Sequence, residues 1–135
     1  MTDQPATVRS DIRSRDEVVR LVDAFYSRVR ADDLLGPIFD EVARVDWSEH
    51  LPKMYAFWES ILFGAGTYRG NPLAAHLALA RKTPLTTEAF DRWVSLFQAT
   101  VDELFEGPVA EEARVRAARI AFTMQHHLAA ARQAG

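Results

Sequence analysis

The stretch Tyr68-Arg69-Gly70-Asn71-Pro72-Leu73-Ala74-Ala75-His76-Leu77 closes a glycine-rich loop and opens an apolar helix that carries one imidazole. Gly64, Gly66 and Gly70 are half of the chain's six glycines, so the loop suits unusual backbone angles. Pro72 can start the helix, because a proline in the first turn gives up an N–H that has no partner there anyway. Leu73, His76 and Leu77 then share a face at i, i+3 and i+4, and the helix is expected to end near Lys82-Thr83-Pro84. A histidine so placed is either a satisfied core residue or a metal ligand, and the rest of the chain has to decide between them.

Upstream, Ser14-Arg15-Asp16-Glu17 has the form of a capping box, followed by Val18, Leu21, Val22, Phe25 and Val29 at helical spacing. This predicts a first amphipathic helix to about Arg30, with Tyr26 at the edge of its buried face. Leu34-Leu35-Gly36-Pro37-Ile38-Phe39 breaks the helix with Gly-Pro and offers a short apolar turn in which Phe39 is the most buried candidate. Asp46-Trp47-Ser48-Glu49-His50 opens a second helix, capped by Asp46 or Ser48, with Leu51, Met54, Tyr55, Trp58, Ile61 and Leu62 as its inner stripe. Pro52 implies either a start at Ser48 or a kinked first turn, which puts His50 on a weakly held turn.

Downstream, a third long helix from Thr86 or Thr87 carries Phe90, Trp93, Phe97, Val101 and Leu104 on one stripe, so Trp93 is expected to be buried. Gly107-Pro108 ends it and starts a last helix that buries Ala113, Ala117, Ile120, Ala121, Met124 and Leu128. His126 reads as solvated and His127 as a flank of that stripe. Residues 1–10 are polar and contain Pro5, as expected of a flexible, loosely held arm. No strand, repeat or linker is evident, so residues 1–135 read as one all-α domain.

Composition narrows the chemistry. The chain has 135 residues, 48% hydrophobic and 26% charged, with a net charge of −3, the profile of a single globular domain rather than a nucleic-acid binder. Neither a long apolar run nor a signal-peptide pattern is present, so no membrane partner and a cytoplasmic location are expected. The lack of cysteine excludes disulfides, thiolate metal sites, iron–sulfur clusters and covalent thioether haem attachment. There is no His-Glu-x-x-His zinc pattern, no Glu-x-x-His pair for a di-iron bundle, no Gly-Lys-Ser/Thr phosphate loop and no Gly-x-Ser-x-Gly elbow. What remains is an apolar space bounded by Phe25, Phe39, Met54, Trp58, Leu73, Leu77, Trp93 and Phe97, with the Tyr26 hydroxyl, the Trp93 indole N–H and the imidazoles of His50 and His76 able to point inward. Such groups buried without partners would cost about 1–3 kcal/mol each, so they either bond nearby carbonyls or meet a ligand such as haem.

In order and spacing, Phe25-Tyr26, Leu35-Gly36-Pro37-Ile38-Phe39, Trp47-x-x-His50, Met54-x-x-Phe57-Trp58, Tyr68-x-Gly70-x-Pro72-x-x-x-His76, Phe90-x-x-Trp93-x-x-x-Phe97 and Arg119-Ile120-Ala121 resemble a truncated haemoglobin of the third group, a small two-over-two helical globin. The likeness runs from about Val18 to Met124. It implies non-covalent haem b with His76 as the proximal iron ligand, and Tyr26, His50 and Trp93 as polar distal residues. Met54, Trp58, Phe39 and Tyr68 would line the haem pocket. It further implies reversible binding of O2, CO and NO, oxygen transport among the family's roles, and nitric-oxide dioxygenase or peroxide chemistry served by a reductase. Arg69, Arg81 and Lys82 flank the His76 segment as candidates for the haem propionates, and a monomer is expected. His50, beside Pro52, is expected to swing between pocket and solvent and to control ligand admission. Two other readings compete: a bis-histidine electron-transfer protein using His50 and His76, and a cofactor-free helical interaction domain.

Overall fold

A computed structural model of the chain describes residues 9–66, 68 and 70–134, without the side chains of residues 73 and 132–134. The described residues form helices and the turns between them. In chain order these are α1 (Arg15–Ala31), α2 (Leu35–Pro37) running into a π-helical turn (Ile38–Val42), α3 (Trp47–Phe63), α4 (Pro72–Ala80), α5 (Thr87–Leu104) and α6 (Pro108–Ala134). α1 packs on α3 and α5, α5 packs on α6, and the short α4 leans on α6. The result is the two-over-two helical sandwich expected of the sequence. Among the described residues no helix is long and apolar enough to cross a membrane.

Periodicity explains the core. Val18, Leu21, Val22, Phe25 and Val29 of α1 are all sealed from solvent, as are Phe97 and Val101 of α5. Burial of each such side chain stabilises the fold by about 1.5–3 kcal/mol. Phe97 joins the layers: it meets Phe25 edge-on at 5.1 Å and lies parallel to Trp58 at 4.6 Å and to Trp93 at 5.9 Å. Ala113 and Ala117 of α6 are fully buried, small side chains that let α6 come close to α5.

Several local expectations change. The Ser14 hydroxyl donates to Glu17 Oε1 (2.9 Å) instead of accepting a backbone N–H, and Glu17 reaches past the cap to the Arg13 N–H (3.0 Å). α1 ends at Ala31, well before Gly36. The break is made by Asp32, whose carboxylate accepts the N–H groups of Leu34 (3.0 Å) and Leu35 (2.9 Å) and pairs with Arg92 (2.6 Å). Gly36 is needed for close approach, since a Cβ there would stand 2.7 Å from the Arg30 carbonyl oxygen. Leu35, not Phe39, is the buried residue of this turn. α3 starts at Trp47 and takes Pro52 inside it; Asp46 caps it through the Ser48 N–H (3.1 Å), and the His50 N–H reaches the Asp46 carbonyl at 2.8 Å. The turn bearing His50 is therefore well bonded. Trp93 and Ile120 are half-buried because they face a cavity, and His127 is exposed along with His126.

Residues 1–8 of the expected arm lie outside the described residues; Arg9 pairs with Glu106 (3.2 Å), and the Ser10 carbonyl accepts the Glu106 N–H (3.1 Å). Asp11 then caps a helix almost a hundred residues away, accepting the N–H groups of Val109 (3.0 Å) and Ala110 (2.8 Å) in the first turn of α6. The residue before Pro108 is Gly107, at φ +145°, where any Cβ would collide with the Asp11 carboxylate. Burial pushes the Asp11 carboxyl up, but the Val109, Ala110 and Ile12 N–H groups and Arg13 outweigh it, and its pKa is lowered. A lowered folded-state pKa means stability that is present above the ordinary carboxylate range and is lost as pH falls through the folded value. Asp11→Ala should thus cost about 1–2 kcal/mol in urea unfolding at pH 7, with the deficit shrinking toward pH 3; an equal deficit at both pH values would contradict the cap.

Candidate functional site

A cavity of about 340 Å³ lies within the helices, in the size range of small-molecule pockets. α3 contributes His50, Lys53, Met54, Phe57 and Trp58 to its wall, and α4 contributes Pro72, Ala75, His76 and Leu79. Ala89, Phe90 and Trp93 come from α5, Ile120, Ala121 and Met124 from α6. Tyr26, Leu35, Ile38, Phe39, Tyr68, Gly70, Asn71 and Leu85 complete it.

The start of α4 sets the state of His76. The Asn71 side chain accepts the Ala74 N–H at 3.0 Å and caps the helix, and Pro72 begins it. The Pro72 carbonyl, one turn before His76, then lies 2.6 Å from its Nδ1. A carbonyl can only accept, so Nδ1 carries the hydrogen and a neutral ring keeps its lone pair on Nε2. This is how a histidine is prepared to ligate a metal through Nε2. Among the described residues no three His, Asp or Glu side chains gather, so a bare ion has no cage here. A single imidazole suits a metal whose other ligands come with it, as in haem.

The polar side chains of the other walls are held by aromatic rings. Tyr26 is 5% exposed, and its ring lies 4.8 Å from Phe25, 5.8 Å from Phe39, 5.4 Å from Trp47 and 5.2 Å from His50. Burial pushes the phenol far above its ordinary pKa, and a hydrogen bond from the Trp93 indole only partly opposes this. Tyr26 therefore keeps its O–H. His50 has the only buried side-chain nitrogen or oxygen without a partner among the described residues, its Nε2. Burial, and after it the neighbouring Lys53 ammonium and the His76 imidazole, hold its pKa below the usual histidine value and favour the neutral ring. An unsatisfied buried nitrogen costs about 1–3 kcal/mol, which a ligand in the cavity could recover.

The structure brings Tyr26, Phe39, His50, Met54, Trp58, Tyr68, His76 and Trp93 onto this one cavity. Phe25 and Phe97 stand behind the wall, fully buried, and support it. Leu77 is not on the lining; the cavity face of α4 is Pro72, Ala75, His76 and Leu79, because the helix is rotated to aim His76 inward. The Leu73 side chain and Arg69 lie outside the described residues. Arg81 and Lys82 are exposed and away from the lining, whereas Lys53, one turn from His50, stands at the rim. Sequence reasoning did not assign Phe90, Ile120, Ala121 or Met124 to the site, since a cavity wall and a solid core share one helical period. Leu85 precedes its helix and gave no periodic signal.

A family model described as bacterial-like globin matches residues 9–128. The chain is 33% identical over 118 residues to the group 3 truncated haemoglobin Ctb of Campylobacter jejuni, covering 85% of this chain and 91% of that one. It is 35% identical over 98 residues to the group 2 truncated haemoglobin YjbI of Bacillus subtilis, covering 68% of each. Its fold superposes on the crystal structure of a group III truncated haemoglobin from Campylobacter jejuni with a TM-score of 0.78 and 31% identity, over 90% of this chain and 95% of that one. The truncated oxygen-avid haemoglobin of Bacillus subtilis gives 0.66 and 28%, over 82% and 92%. The chain therefore belongs to the bacterial-like globin family, as a two-over-two haem globin.

Proposed function

We propose that the cavity holds a non-covalent haem b, with His76 as its proximal ligand, and that the protein reversibly binds O2, CO and NO. The observation that carries this reading is the His76 ring, whose Nδ1 is committed to the Pro72 carbonyl while the ring lines a cavity shared with Tyr26, His50 and Trp93. Haem would supply the coordination position for a diatomic ligand. The chain's own residues decide how such a ligand is kept. The aromatic walls exclude water, and in a dry pocket an O–H or N–H donor strengthens its bond to a ligand that takes on negative charge. Tyr26 and Trp93 are the donor pair: both line the cavity, the buried Tyr26 phenol keeps its O–H, and the Trp93 ring is held by Phe25 and Phe97.

His50 lines the cavity, where the rings of Tyr26, Phe39 and Trp47 hold it inward and its Nε2 has no protein partner. Its lowered pKa favours the neutral ring, which can accept a proton as well as a hydrogen bond from a ligand. Nitric-oxide dioxygenation would use the same pocket with a separate reductase, and it asks only for a held ligand.

Absorption spectra of the purified protein with added haem test the reading. A Soret band with a five-coordinate ferrous form that binds CO is expected. A six-coordinate low-spin ferrous form without added ligand would assign His50 as a second axial ligand, and no Soret band would leave a cofactor-free helical domain. Trp93→Phe removes one charge-assisted donor worth about 1.5–3 kcal/mol, so stopped-flow O2 release should accelerate about tenfold to a hundredfold; an unchanged rate would remove Trp93 from the donor pair.

A further inference from the structure

We propose that small ligands reach the cavity through the surface groove between α1 and α3, and that Trp47 is the ring that admits them and limits their size. The inference rests on the haem reading above. The groove, about 650 Å³, is bordered by Tyr26, Arg30, Asp40, Trp47, Leu51 and Tyr55. Tyr26 lines both this groove and the inner cavity, so one aromatic layer separates them there. Trp47 backs that layer: its ring lies 5.4 Å from Tyr26 and 5.5 Å from His50, and it stacks on Phe39 at 5.9 Å.

The rings of this wall differ in how they are held. Tyr26 is 5% exposed on a fully packed helix, so moving it would open the core. His50 cannot swing outward while the Trp47 ring covers it. Trp47 is half-buried, in the first turn of α3, and its outer contacts are exposed ones. Its indole N–H donates to Asp40 Oδ1 at 2.8 Å, and the Arg30 guanidinium lies over the ring at 4.9 Å. Arg30 and Asp40 also pair at 3.5 Å, and Asp40 itself sits in the irregular π-turn. Exposed contacts of these kinds are individually weak. Trp47 is consequently the part of the wall that moves at least cost, and a diatomic ligand needs only a small, brief opening. The barrier that His50 was expected to provide thus passes to the ring outside it.

Laser photolysis of the haem–CO protein, compared with n-butyl isocyanide as a larger ligand, tests this. With Asp40→Ala the bimolecular CO association rate should rise about threefold. Leu51→Trp, which fills the groove, should lower it, and His50→Ala should matter less than either. Trp47→Ala should raise the isocyanide rate more than the CO rate, a change in size selection that loss of stability alone would not produce. Independently, solvent exchange of the Trp47 indole N–H, followed by 15N NMR, should be faster in Asp40→Ala than in the wild type. Wild-type CO rates in both Asp40→Ala and Leu51→Trp, with the haem–CO spectrum intact, would overturn the route, and unchanged indole exchange would overturn the latch. A wild-type protein with no haem–CO band would instead fail the haem reading, before any variant is compared.

Discussion

The stack of Trp58, Phe97 and Trp93 is the contact on which both the core and the cavity depend. Phe97 is fully buried and lies parallel to the two indoles, one on α3 and one on its own helix. Trp58 is 1% exposed, while Trp93 is half-buried and lines the cavity. One aromatic column therefore ends the packed core and begins the cavity wall. Close packing on one side makes the other side rigid, so the polar group that Trp93 presents is held in place before any ligand arrives.

Across that chamber the two histidines are prepared in different ways. His76 is set by its own helix: Asn71 caps the first turn, Pro72 starts it, and the Pro72 carbonyl takes the Nδ1 hydrogen. His50 is set by its neighbours, since the rings of Tyr26, Phe39 and Trp47 surround it while its Nε2 has no protein partner. An imidazole with its Nδ1 committed and another with an unmet Nε2 stand on the walls of one cavity, the arrangement that the proposed haem site rests on. The wall outside His50 is closed by Trp47, whose outward contacts to Arg30 and Asp40 are surface ones, and this is where the fold can open most cheaply.

Much of this was legible in the sequence, for identifiable reasons. Val18 through Val29 and Phe90 through Leu104 repeat at helical period, and their burial followed. The likeness of ordered motifs to the truncated globins puts Tyr26, His50, His76 and Trp93 in one site, and all four line the cavity. Other features rest on long-range contacts that no local pattern carries. Asp11 capping α6, with Gly107 making room for it, joins residues almost a hundred positions apart. The face of α4 that puts Leu79 rather than Leu77 on the cavity belongs to a short helix that leans on α6. Trp47 could be read as part of a motif, but its place behind His50 needed the π-turn that brings Asp40 to its indole.

The central claim is that the Nε2 of His76 holds a haem iron from one side. The most direct measurement is the absorption spectrum of ferrous and ferrous–CO protein for the wild type and for His76→Gly, with and without added imidazole. The expected result is that His76→Gly loses the wild-type ferrous spectrum and that imidazole, filling the space left by the side chain, restores it. A His76→Gly protein that keeps haem with an unchanged ferrous spectrum would contradict the account.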